Sequence, residues 1–546
     1  MIGGRGPETE RPLSLRWVVL FSAVVALSTA LPHIYQAATA PPDEVFTGIV
    51  TSHTDQNLYL MWSRQAETGR VMMQNYATAE DAPPLFVGPF WLAVGALARL
   101  LPLSLIVTYR ALAVILAFVY LLIVWRLLNE VLERSVARLF ALVIVALGSG
   151  FGAFTDLVNS VSGREVLYSS DLMPEMWAYH SFFLPHFSIA LCLIALLALI
   201  LVRAWRAPSI RLHVAAAVVA ATVIAIHPYN IAWLGPLLVL HLLVCALTRA
   251  CRWREVAANL WTLAGAAVPA TYYAWQAQVH PMVAIWAEQN VMRSPPPHVY
   301  LLGLGIVLPL AVAGWIAIDR SERRSPALWL VALWPLVTAI MVYSYPLVPF
   351  ERRLVEGVHL PLAILAGIGM SAYLVPWLQR LTRRNRRHAV RLGLALVLIG
   401  ILPTNLAIIG RGAVSDLARI PREAQEVFAW VEAQAPPDAR FFTDLRTGQH
   451  CARYALRHVH LAHDDVTIHA AVKREMVEEF YDPDTSVARR EEILREAGCG
   501  WVLSPGDRRM QAVEEMPSLR WVAGGDQLSV YRFAESPPPP EMPSVD

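Results

Sequence analysis

Long apolar runs recur along this chain at close to the length of a bilayer crossing, and no other feature constrains its fold as much. A bilayer core takes roughly 20 apolar residues per helix. Segments at 17–36, 103–127, 134–152, 181–202, 212–228, 230–248, 257–277, 299–318, 326–344, 356–377 and 389–409 meet or approach that length, which makes eleven candidates. Backbone in lipid must satisfy its own polar groups, so helices are the expected spanning elements. The first segment has no small-residue cleavage site behind it and reads as a retained anchor. With 56% hydrophobic and 16% charged residues, the composition is that of a polytopic α-helical membrane protein.

Charge orients the spans. The net charge of +2 gives no global pull toward nucleic acid. Arginine clusters instead fall in every second connection: 126–138, 203–211, 249–254, 320–324 and 380–387. Basic connections mark the cytoplasmic side, so the N-terminus is expected in the cytoplasm and the connections 37–102, 153–180, 278–298 and 345–355 outside. The stretch 84–101 is apolar, yet a crossing there would break this agreement, so it is expected as a juxtamembrane helix on the outer surface. A competing layout has an external N-terminus and puts residue 55 in the cytoplasm.

After residue 410 the composition changes. Helix-like runs such as PREAQEVFAWVEAQA alternate with strand-like runs such as RFFTDL and GWVLSP, the pattern of a small α/β domain. The expected organisation is a transmembrane domain over 1–410 with a long first loop at 37–102, an external or periplasmic α/β domain over 411–535, and a disordered tail at 536–546. The five cysteines show no metal-ligand spacing, and Cys451 and Cys499 are open to pairing. In the α/β region, HVHLAHDDVTIH concentrates histidines and aspartates, which read as surface residues of a strand and loop. No phosphate-cradling glycine loop or serine elbow is present, which disfavours ATP-driven transport.

The first loop carries a polar helix, DQNLYLMWSRQAET, ending at Gly69. Asp55, Tyr59 and Trp62 are spaced four and three apart and so share one face. Thr54 or Asp55 also suits a plain helix cap, which needs no active site. An acidic residue, a Tyr four positions on, a helix ending in Gly and then DAPPLFVGPFWLAVGALARLL from 81 together resemble the first loop of the C-type (GT-C) membrane glycosyltransferases, the class of the bacterial aminoarabinose transferases and protein O-mannosyltransferases. The resemblance is architectural over about 17–410 and residue-level only in this loop. It implies an integral-membrane enzyme that moves a hexosyl or pentosyl group from a polyprenyl-phosphate donor to a glycan, lipid or protein acceptor on the external face, with inversion. Asp55 is then the catalytic base, beside Gln56 where related chains often carry a second acid. Asp43 and Glu44 in PPDEVFTG are the rival acids.

Two further loops supply candidates. YSSDLMPEMWAYHSFFLPHFS, from 168, gathers Asp171, Glu175, His180 and His186, suited to lining a substrate pocket with Gln56, Tyr59 and Trp62, or to holding a divalent cation such as Mg or Mn. Arg352 and Arg353 stand at the mouth of a crossing and fit a lipid phosphate bidentately, or pair with Glu351 and Glu356; Arg293 is a third cation. His227-Pro228-Tyr229-Asn230 reads as a tight turn. Two other functions compete: a lipid-linked-glycan transporter or flippase, which would need polar residues inside several helices, and a non-catalytic membrane protein that binds a partner through its C-terminal domain.

Overall fold

A computed structural model describes residues 13–248, 253–318, 325–383, 385–506 and 508–535. The tail at 536–546 and the arginines at 320–324 lie outside the described residues. Among those residues, five helices are long and apolar enough to cross a membrane: Leu105–Val131, Pro185–Arg206, Pro228–Thr248, Glu351–Thr382 and Arg386–Ala413. Three bent pairs bring the number to as many as eight: Leu15–Ser28 with Leu31–Ala38, Ser135–Leu147 with Gly152–Ser162, and Pro297–Leu304 with Val307–Ala317. Ile210–Ile226 and Pro326–Met341 are apolar but shorter, so the described residues give five to eight candidate crossings by length and composition against the eleven expected. Continuous apolar runs read as single spans, yet the last pair turns by 80°, and Gly305 at its break holds a positive φ of 50°. Pro89–Leu100 is a helix of 12 residues, about 18 Å long and short of the roughly 30 Å bilayer core.

The chain divides into two compact units that do not follow a single cut near 410. The first comprises 1–31, 111–273 and 292–411. Its inner helices are Pro185–Arg206 and Glu351–Thr382, each 78% buried over its apolar window, against 33% for Pro228–Thr248 and Arg386–Ala413. Helices buried all round read as uniformly apolar, whereas the outer ones turn Val218, Leu243, Ile316, Ile399 and Leu406 outward, as lipid-facing surfaces do. Close approach is bought by small residues: a Cβ at Gly314 would strike the backbone of Leu365.

The second unit comprises 32–110, 274–291 and 412–546. Here the first loop and the C-terminal region fold together. Strand β1 (Glu44–Phe46) pairs antiparallel with β2 (Arg419–Pro421), Val45 opposite Ile420. A five-stranded sheet follows from β3 (Arg440–Phe442), β4 (His458–Val459), β5 (Trp501–Pro505), β6 (Leu519–Gly524) and β7 (Leu528–Phe533), in the order β4-β3-β5-β7-β6. β3 runs parallel to β4 and β5, joined through crossover helices, while β7 is antiparallel to β5 and β6. Phe442, Phe480, Ile493, Leu494, Val502 and Phe533 form its core. Asp444 and Ser486 cap the helices Leu445–Tyr454 and Val487–Glu496. Cys451 and Cys499 are both free and buried, so the pairing open to them does not form.

Candidate active site

The polar helix of the first loop spans His53–Glu67. Ser52, at its N-cap, is left-handed and makes no side-chain cap bond, and Thr68 and Gly69, φ +94°, end the helix. Asp55 therefore sits in the first turn, beyond the capping position, where a carboxylate is favoured by the helix dipole. Its side chain is 46% exposed, and its Oδ1 lies 3.2 Å from Nε2 of the buried His463. The Asp465 backbone N–H donates to His463 Nδ1 at 3.0 Å, so the neutral imidazole carries its proton on Nε2 and donates it to Asp55.

The flank of the same helix is fixed. Gln56 is buried, its amide donating to Thr51 O at 2.6 Å while Arg110 donates to its Oε1. Arg110 also donates to Gly48 O at 2.6 Å. Asn57 donates to Gln449 at 3.2 Å and accepts from Arg453 at 2.9 Å, and Arg453 reaches Thr47 O at 2.8 Å. Tyr59 stacks on Trp91 at 4.5 Å, and Trp62 is buried against Trp91 and Trp286 at 6.2 Å. Gln56 and Trp62 thus brace the helix that carries Asp55. Of the rival acids, Asp43 is exposed, and Glu44 lies in β1 with Arg419 at 3.6 Å.

In the first unit, the four residues of the second loop go to separate tasks. Asp171 accepts from the backbone N–H of Gly150 at 2.8 Å and of Gly152 at 3.1 Å, and from Ser169. It ties down the bend between Ser135–Leu147 and Gly152–Ser162; burial pushes its carboxyl up against those bonds. Glu175, also buried, faces Arg352 at 3.5 Å. Burial first, then Arg411, lowers His180 to about 4 and keeps it neutral. His186 packs against His227 with ring centroids 5.3 Å apart. Among the described residues no group of three or more His, Cys, Asp or Glu is gathered to hold a metal ion, and carboxylates already committed to backbone amides and an arginine do not fit one.

The Arg352–Arg353 pair opens the last buried crossing, but neither partner expected for it is the one found. Glu351 instead accepts the backbone N–H of Ser294 at 3.0 Å and of Tyr345 at 2.7 Å. Glu356, fully buried, takes His227 Nδ1 at 2.9 Å and the Asn230 amide at 2.8 Å. His227-Pro228-Tyr229-Asn230 is therefore a buried clasp as well as a turn. Arg352 turns to Glu175, and Arg353 lies 5.7 Å over the Tyr229 ring with its Nε 3.0 Å from Met292 Sδ. Arg293 stacks over Tyr345 at 4.0 Å.

No protein-family model matches this chain, and no curated protein matches it. Solved structures do match. The apo oligosaccharyltransferase of Archaeoglobus fulgidus aligns over 90% of this chain and 70% of its own, with 12% identity and a TM-score of 0.54. ArnT from Cupriavidus metallidurans, bound to undecaprenyl phosphate, aligns over 95% and 98%, with 13% identity and a TM-score of 0.53. The arabinofuranosyltransferase AftD from mycobacteria aligns over 96% of this chain but 40% of its own, with 13% identity and a TM-score of 0.56.

The chain has the GT-C fold.

Identity at this level carries the GT-C architecture and no residue correspondence, so the site rests on its own geometry. Reading the sequence missed His463 outright. HVHLAHDDVTIH contained it, but a histidine run reads as solvated loop until the fold buries His458, His460 and His463. Glu356 and the His227–Asn230 turn were both visible in the sequence, but their pairing with each other was not.

Proposed function

We propose that this chain is a GT-C membrane glycosyltransferase that transfers a sugar from a polyprenyl-phosphate donor to an acceptor on the external face of the membrane, with inversion. The N-terminus lies in the cytoplasm in this reading, and the second unit outside. The observation that carries it is Asp55: a half-exposed carboxylate in the first turn of a fully braced helix, held by a histidine of fixed tautomer. An acceptor hydroxyl is a weak nucleophile, and a carboxylate in hydrogen-bond reach takes its proton as the oxygen attacks. The acceptor oxygen bonds to the anomeric carbon, the bond from that carbon to the phosphate oxygen breaks, its electron pair leaves on the phosphate, and the proton ends on Asp55. Arg352 and Arg353 supply the positive charge for the departing phosphate. ArnT in its undecaprenyl-phosphate complex and the Archaeoglobus enzyme in its dolichol-phosphate complex lend support to a lipid phosphate here. The Archaeoglobus enzyme also has a complex with Zn and sulfate. No step in this reading runs through a metal; among the described residues no group of three or more His, Cys, Asp or Glu is gathered to hold one.

The test uses membranes containing the full chain, given radiolabelled polyprenyl-phosphate sugars and an extract of envelope acceptors. Wild type is expected to transfer label and Asp55→Asn to lose it by at least a hundredfold. Equal transfer by the two rejects Asp55 as the base.

A further inference from the structure

The chain brings Asp55 to His463 across 408 positions of sequence, and the histidine arrives with no freedom left. Its ring is fixed at both nitrogens, Nδ1 by the Asp465 amide at 3.0 Å and Nε2 by Asp55 at 3.2 Å. Its backbone is fixed too. Thr467 Oγ1 accepts from the N–H of Ala462 at 3.1 Å and of His463 at 3.0 Å, while its own hydroxyl donates to Ala77 O at 2.6 Å. Gln289 holds the same turn from another segment, donating to Thr467 O at 2.8 Å. The neighbouring acid, Asp464, is occupied by Arg474.

So much ordering around one imidazole exceeds what a surface loop needs. His463 is buried while the carboxylate it addresses is half open to solvent, so the donor is the rigid partner and the acceptor is the accessible one. We propose that His463 is a positioning residue for the Asp55 base, an inference that rests on the glycosyltransferase reading above. One oxygen of the carboxylate is tethered by Nε2–H, which sets the rotation of the carboxylate plane toward an incoming hydroxyl. His463 neither touches the acceptor nor passes on a proton: the acceptor's proton goes to Asp55, and Nε2–H stays on the ring. The tether fixes the direction of the carboxylate, so the gain is geometric. Misplacing a reacting group by about 1 Å can lower a rate by roughly a hundredfold, which sets the scale of the effect.

The experiment compares His463→Ala and His463→Gln in the full chain. A glutamine amide reaches about as far as Nε2 and can donate the same bond. His463→Ala is expected to lower kcat at least tenfold with the donor KM changed less than twofold, and His463→Gln to recover most of the loss. Equal losses in the two variants, or a rise confined to KM, overturns the inference. A second readout does not depend on turnover: 15N-histidine NMR is expected to show His463 protonated at Nε2 and unprotonated at Nδ1, and the opposite tautomer overturns the pairing. If wild type transfers no sugar while that tautomer is present, the glycosyltransferase reading fails and takes this role with it. If wild type transfers and His463→Ala matches it, the inference fails alone.

Discussion

Lys473, the only lysine in the sequence, places its Nζ 2.7 Å from Glu80 Oε2, with both side chains out of water and Thr78 bonded to each. The pair ties the segment after the first-loop helix to helix Ala470–Tyr481. Burial lowers the lysine's affinity for its proton, and Glu80 opposes that.

Removing one partner leaves the other charge buried and uncompensated. Lys473→Met is expected to destabilise the protein by about 3–5 kcal/mol, and the double variant Lys473→Met/Glu80→Leu to recover most of it. Apparent melting temperature in detergent checks this. A double variant as unstable as the single one would mean that the cost lies in packing.

Gly95 lies where helix Pro89–Leu100 crosses the Asp55 helix, and a Cβ there would run into Ser63 O, Ala66 Cβ and Glu67 N. Backbone cannot step aside as a flexible side chain can. Gly95→Ala is expected to cost about 1–3 kcal/mol and to lower transfer by shifting Asp55. Thermal unfolding and the transfer rate read the two effects. A stable variant with full activity would show the helices free to separate.

His450 is buried beside Phe428 and Tyr454, and burial first, then Arg453 and Arg446, lowers it to about 3. The unfolded chain binds a proton near pH 6.5 and the folded one does not. The neutral site is therefore at full stability above that value and loses stability as pH falls toward 3. Between pH 7.5 and 5.5 the loss is about 1.4 kcal/mol. His450→Phe keeps the ring contacts, and unfolding curves at the two pH values should differ by that much less than in wild type.

Arg352 faces the Glu175 carboxylate and Arg353 lies near the Tyr229 ring, while Arg293 stacks on the Tyr345 face. A lysine keeps the charge and loses the planar fork. Arg352→Lys is expected to raise KM for the lipid donor about tenfold, Arg352→Ala more, and Arg293→Ala little. Donor titrations of the three variants order them. Equal effects would remove the distinction between a phosphate clamp and a stacked cation.

What the sequence made legible was whatever repeats along one element. Apolar length located the helices, and the spacing of Asp55, Tyr59 and Trp62 with the stop at Gly69 located the first-loop helix to within a few residues. Bends were not legible, because Gly305 breaks an apolar run without changing its hydropathy. Nor were the partners. Glu175 with Arg352, Glu356 with His227 and Asp55 with His463 are each contacts between distant segments, and no period in the chain encodes them. Charge pattern pointed Arg352 to its nearest acids, but Glu351 and Glu356 were already taken by backbone and imidazole.

The pairing of β1 with β2, and the grip of Arg453 on Asn57 and Thr47, make the region after 411 a poor candidate for excision. A soluble fragment beginning there would expose an unpaired strand edge and a guanidinium stripped of its acceptors, and both favour aggregation. Crystallisation of the region after 411 alone calls for grafting 40–100 back onto it, so the segment that bears Asp55 travels with its scaffold.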